Sequence, residues 1–179
     1  MIINYQILER ISPRTNGKIA ADLSEFLVPA WEKYEINTKL RVANFLGQFA
    51  EETAGYATLE EYASGANYEG RKDLGNVKRG DGKRYKGRGG FMLTGRANYQ
   101  RMTDVLKVDF INHPEWASEG KYSVLISCEY WKEHNLNHFA DMDDEREITR
   151  KINGGFNGLS SRLMFTKRAK NELPAIFAS

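Results

Sequence analysis

Two glutamates, Glu52 and Glu61, flank a helix-breaking glycine, Gly55, in a way that could support acid–base chemistry. Upstream of them Val42, Phe45, Leu46, Phe49 and Ala50 recur at i, i+3, i+4, i+7 and i+8, which predicts a helix over 38–54. At about 100° per residue, Glu52 falls on the edge of that apolar face. Glu51 falls nearly opposite, beside Asn44 and Gln48, where a carboxylate would be solvated. A carboxyl at the margin of a core loses hydration, which favours its protonated form and suits it to donate a proton to a leaving oxygen. Glu61 follows in a polar stretch rich in Gly and Tyr, where a second carboxylate could stay ionised. One acid and one base in contrasting settings is the pattern used to cleave glycosidic bonds. The pair alone does not decide this, because 24 acidic residues make such a spacing common.

The elements that must position these residues read as mainly helical. The pattern predicts helices over Ile2–Ile11 and Ile19–Tyr34, with Pro29 kinking or splitting the second. Asn37 or Thr38 caps the glutamate-bearing helix. From 55 to 90 the periodicity weakens into a Gly- and Tyr-rich lobe, expected to be loop or β-hairpin, inserted into the helical core. Helices resume at Asn98–Val105, Ser123–Glu133, about 145–152 after the capping pair Asp143 and Asp144, and Ser160 to about Leu173, before Pro174. A single domain over 1–179 is expected, with 1–37 as its amino-terminal helices.

Composition excludes several classes. With 41% hydrophobic and 12% aromatic residues the chain is not disordered, and a formal charge of +2 does not mark a dedicated nucleic-acid binder. Lys78, Arg79, Lys83, Arg84, Lys86, Arg88 and Arg96 nevertheless form a basic run interrupted by Asp81 alone, which could face an anionic polymer or simply be solvated. The single Cys128 lies in an apolar helical pattern and reads as a buried thiol. Neither a signal peptide nor a membrane span is evident, so a monomer made in the cytosol, without stable membrane insertion, is expected. His134 and His138 are four apart but lack a third ligand, and no metal or cofactor is expected.

Two further segments could hold a ligand. In 85–99 closely spaced glycines would let backbone approach a substrate, with Tyr85, Arg88, Thr94 and Tyr99 supplying donors and stacking faces. In 152–162 an Asn followed by glycines could be a cleft element or only a helix cap.

The order of Asn44-Phe-Leu-Gly-Gln-Phe-Ala-Glu-Glu-Thr53, Tyr85-Lys-Gly-Arg-Gly, Leu93-Thr-Gly-Arg-Ala-Asn-Tyr99 and Ile152-Asn-Gly-Gly-Phe-Asn-Gly-Leu-Ser-Ser-Arg162 resembles the family 19 glycoside hydrolases, and most of all their phage endolysin branch. The resemblance runs from about Thr38 to Arg168 and implies a lysozyme-like fold, mainly α with a small second lobe. It implies Glu52 as general acid, Glu61 as base, Thr94 as a hydroxyl that helps hold the attacking water, and Asn153 and Arg162 lining the sugar cleft. It also implies bacterial peptidoglycan as partner, and an enzyme that waits in the host cytoplasm until it reaches the cell wall at lysis. Two departures stand out: Glu51 replaces the usual His before the acid, and Met92 replaces a Gln that contacts sugar. Chitin is the alternative substrate, and a silent glycan-binding module the alternative role. Muramidase cutting is favoured on the expectation that an open glycine-rich wall at Gly87–Gly90 leaves room for the peptide arm of the wall.

Overall fold

The computed structural model describes residues 1–178. Its framework is helical, and side-chain caps set several of the starts. Helix α1 (Tyr5–Ile11) opens at Asn4, whose side chain accepts from Ile7 N, rather than at Ile2. Helix α2 (Gly17–Lys33) opens at Asn16 and runs unbroken through Pro29. Pro29 and Glu25, whose carbonyl loses its donor, are both exposed, so that carbonyl is open to hydration and the helix is not split. Thr38 caps α3 (Lys39–Glu52), its hydroxyl accepting from Arg41 N.

The region 55–90, expected as loop or β-hairpin, takes the loop form. It contains no strand, only the isolated bridges Glu60–Arg88 and Arg88–Leu93, two 3-10 turns and the short helix α4 (Asp81–Arg84). Its glycines account for this: Gly65, Gly70, Gly75 and Gly80 all take positive φ, which breaks any extended run into turns. The chain enters the lobe through three consecutive left-handed residues, Ala54, Gly55 and Tyr56. Tyr56 is buried there, its hydroxyl donating to Leu46 O at 2.9 Å and its N–H to Thr53 Oγ1 at 3.0 Å.

Beyond the lobe come α5 (Arg96–Leu106), α6 (Gly120–Glu133), α7 (Leu136–Asp141), α8 (Glu145–Asn153) and α9 (Leu159–Ile176). Helix α7 was not foreseen; Asn135 takes the left-handed conformation at φ 53° and lets a new helix start at once. Helix α9 continues through Pro174 instead of ending at Leu173. Asp144 alone caps α8, accepting from Glu147 N.

Helices α3 and α9 pack closely because Gly47 has no side chain. A methyl there would fall on Thr166 Oγ1 and lie 2.8 Å from the Thr166 Cα. Around α3 the main core gathers Trp31, Phe45, Phe49, Phe91 and Trp131, with Phe45 and Trp131 ring centroids 5.3 Å apart. A second, smaller apolar cluster joins the lobe to α5 and α6 through Tyr85, Leu93, Tyr99, Met102, Phe110, Ala117 and Ile126. No helix among the described residues is long and apolar enough to cross a membrane.

Candidate active site

Glu52 ends α3, and the residues expected to leave its far side solvated do the opposite. Asn44 and Gln48 are fully buried, because α8 and α9 cover that face. Asn44 reaches Asp143 Oδ1 at 3.1 Å, and Gln48 donates to Thr149 Oγ1 at 3.1 Å. Gln48 Oε1 in turn accepts from Arg162 Nη1 at 2.6 Å. The same guanidinium uses Nη2 to grip Glu52 Oε1 at 2.5 Å and Nε to reach Asn157 O at 3.2 Å. Glu52 therefore sits against a buried arginine, whose side chain is 3% exposed, and not merely at the margin of an apolar face. Arginine makes this arrangement possible because its planar fork satisfies two acceptors at fixed angles. Glu52 Oε2 has no hydrogen-bond partner among the described residues and is the oxygen left for a ligand.

Glu61 is positioned by the lobe. Its N–H donates to Gly87 O at 2.9 Å, and its Oε2 accepts from Gly87 N at 2.7 Å. Tyr68 donates to Oε1 at 3.2 Å. A side chain at Gly87 would collide with this carboxylate, lying 2.7 Å from Oε2 and 3.3 Å from Thr94 Oγ1, so Gly87 brings Glu61 and Thr94 to one point. Thr94 Oγ1 is oriented by a hydrogen bond to Met92 O at 2.8 Å. The adjacent Glu60 points elsewhere, pairing with Arg88 Nε at 3.1 Å and Lys86 Nζ at 3.2 Å. Of the two neighbouring glutamates, Glu61 alone has no cation on its carboxylate.

A hollow of about 620 Å³ runs between the lobe and the helical body, lined by Met92, Thr94 and Asn98 on one side and Tyr130 and Ile152 on the other. Neither Glu52 nor Glu61 is among its lining residues. Two of its lining residues adjoin them: Thr94, which shares the space at Gly87 with Glu61, and Tyr130, whose hydroxyl is pushed up to about 12, first by burial and then by the charge of Glu52. Asn153 follows Ile152 at the end of α8, exposed and with its amide unbonded among the described residues. Of the acid, base, hydroxyl and amide expected from the sequence, Thr94 lines this hollow, and Glu61 and Asn153 adjoin its lining residues Thr94 and Ile152.

Two expected ligand residues do not reach it. Tyr85 is buried, its hydroxyl donating to Ile111 O at 3.0 Å and its ring packed on Tyr99. Arg88 is buried as well, bonded to Glu60, to Arg84 O at 2.9 Å and to Tyr99 Oη at 3.2 Å. Both build the lobe and do not line this hollow. Part of the basic run is tied to the protein itself: Arg84, though exposed, reaches the carbonyls of Ile111 and Asn112, and Arg96 grips the buried Asp81 at 2.5 Å. Lys78, Arg79 and Lys83 remain exposed. The segment Gly87–Gly90 is not an open wall either. All four residues are buried, and a methyl at Gly90 would fall on the Phe49 ring. Cys128 is buried, which pushes its thiol far above the usual range. His134 stacks on Tyr130 with centroids 3.9 Å apart, its Nδ1 2.9 Å from Tyr130 O.

Four residues of the site were not foreseen: Gln48, Tyr68, Asn98 and Tyr130. Gln48 lies one turn before Glu52, and Asn98 one turn after Thr94 with its Nδ2 on Thr94 O at 2.8 Å, so i,i+4 spacing from the expected residues would have found both.

The chain is similar in sequence and fold to known proteins. Over 107 residues the chain is 35% identical to a glycosyl hydrolase family 19 domain-containing protein of Haemophilus influenzae, covering 60% of this chain and 52% of that protein. The chain spans about half the length of that curated relative. No protein-family model matches it. Among solved structures, a bacterial family 19 chitinase superposes with a TM-score of 0.75 at 22% identity, covering 97% of this chain and 95% of that one. Chitinase C from Streptomyces griseus HUT6037 gives 0.71 at 17% identity, covering 97% and 76%. The family 19 fold, lysozyme-like and mostly helical, is therefore the fold of this chain.

Proposed function

We propose that this protein is a glycoside hydrolase that cuts β-1,4 bonds of the bacterial cell-wall glycan by a single displacement with inversion. The observation that carries the reading is the asymmetry of the carboxylates. Glu52 is clamped at one oxygen by Arg162 and open at the other, while Glu61, unlike Glu60, is free of cations and shares its space with Thr94. In this scheme Glu52 Oε2 delivers a proton to the departing glycosidic oxygen. Glu61 takes a proton from a water that Thr94 helps to orient, and that water attacks the anomeric carbon from the opposite face. Tyr68 and the Gly87 N–H hold Glu61 still, so its geometry does not have to be bought at the moment of reaction.

The wall glycan, rather than chitin, is favoured by Met92, which lines the hollow where an amide would contact N-acetylglucosamine. The role that fits such an enzyme is release onto the wall at host lysis, acting as a monomer with muramidase-type cleavage. Proton NMR of fresh digests tests the mechanism: the α-anomer is expected first, and β-product appearing first overturns the Glu52/Glu61 assignment. Clearing of outer-membrane-stripped cells without turnover of chitin oligomers is the expected substrate pattern; the reverse pattern makes the protein a chitinase.

A further inference from the structure

Behind the candidate acid lies a second hollow of about 640 Å³, formed where the loop after α1 meets the ends of α3 and α9. Its walls carry Arg14, Arg168 and Glu51, over a floor that includes Pro13, Ala54 and Met164. The charges are of both signs, yet Glu51 forms no ion pair with either arginine among the described residues. They are held apart by the backbone. Ser12 Oγ accepts from Arg14 N at 3.3 Å, and a side chain at Gly55 would strike the Arg14 Cβ at 3.2 Å, so Arg14 is seated on the turn that ends α3. Arg168 spends one nitrogen on Ile11 O at 3.2 Å and keeps the rest of its fork. Glu51 rests against Gly158, where an added methyl would come 2.8 Å from its carboxyl carbon. Gly158 adjoins Asn157, whose carbonyl steadies the Arg162 that holds Glu52. The hollow and the acid are thus two sides of one loop.

Unpaired opposite charges around a cavity select a ligand that carries both. A neutral polymer of N-acetylglucosamine has no partner for them. A short peptide with free carboxylates and an amine satisfies them: arginine binds carboxylate through charge-assisted, bidentate bonds, and Glu51 accepts from an ammonium. We infer that this groove binds the stem peptide branching from the wall glycan, and so supplies the room that the buried Gly87–Gly90 segment does not. The inference rests on the proposed function, and it makes Glu51, the residue standing in place of the family's usual His, a specificity element.

The test compares peptide-bearing wall glycan with the same glycan stripped of peptides by an amidase. Arg14→Gln alters an exposed side chain, so folding is retained; Arg168→Gln is the second variant. Each is expected to raise KM on the peptide-bearing glycan roughly tenfold, the value of one lost charge-assisted bond, and to leave stripped glycan within about twofold. Equal effects on both substrates, or no effect on either, overturn the groove. Titration of the wild-type protein with free stem tetrapeptide, read by amide NMR, separates the two claims. Shifts at Glu51, Ala54, Ser161 and Met164 that vanish in Arg14→Gln support the groove even if the wall is not cleaved, in which case the proposed function alone fails. Absence of those shifts overturns the groove whatever the enzyme cleaves.

Discussion

At the scale of single residues, the candidate site is a question of which carboxylate oxygen is occupied. Arg162 holds Glu52 by Oε1 and Gln48 by its amide oxygen, so Glu52→Gln keeps an acceptor for the guanidinium and removes only the transferable proton. Turnover is expected to fall by about 10²–10⁴, with the melting temperature unchanged. Arg162→Lys separates holding from donating, because one ammonium cannot span both acceptors in the same plane. Its expected outcome is a lower kcat together with a stability loss of roughly 1–3 kcal/mol from an unpaired buried group, measured by steady-state kinetics and thermal melts. For the base, Glu61→Gln should abolish turnover. Glu60→Gln should spare it and cost at most about 1 kcal/mol, since its half-exposed pairing with Arg88 and Lys86 is structural. Comparable activity in the two variants would refute the assignment.

At the scale of elements, close backbone approach decides the packing. Gly47 is where α3 and α9 touch, and its backbone is helical, so Ala would ordinarily favour the helix there. The methyl instead meets Thr166 main chain, and Gly47→Ala is expected to destabilise by about 2–3 kcal/mol, lowering the melting temperature by roughly 5–10 °C; an unchanged or raised value would show that α9 can shift outward. This same contact explains what the sequence could and could not reveal. Val42, Phe45, Leu46, Phe49 and Ala50 announced α3 through their spacing, and the glutamate at its end followed. Asn44 and Gln48 looked like a solvated face, because nothing local says that α8 and α9 will cover them. Tyr85 and Arg88 have the composition of ligand-binding residues, but the second apolar cluster claims one and Glu60 the other. Residue type reported what these side chains can do, and only the tertiary neighbours decided whether they do it for a ligand or for the fold. The glycine-rich lobe was legible as loop or β-hairpin, and positive φ at successive glycines makes it loop and turn.

At the scale of the whole molecule, the lobe is fastened by a buried ion pair. Asp81, nearly inaccessible, accepts from Arg96 at 2.5 Å and from Lys78 N at 2.9 Å, and the guanidinium holds its carboxyl below the ordinary value of 3.8. The unfolded chain protonates this group first as pH falls. The contribution is therefore complete above pH 3.8 and is lost as the pH drops through the lower folded value. Asp81→Asn is expected to cost roughly 3 kcal/mol at pH 7, with the gap closing below pH 3.8 in urea melts; a gap constant with pH would remove the ion pair from the account. The grip of Arg162 on Glu52 joins residues 110 positions apart, and it has a consequence in time as well as in space. Arg162 belongs to α9, which follows every other described element, and α9 also closes on the segment before α1 through the Ile2 N to Ile176 O bond at 2.7 Å. A chain emerging from the ribosome therefore carries both glutamates long before it carries the arginine that aims the first. Under the proposed mechanism the acid is unaimed until α9 docks, and the chain would stay silent while it is being made.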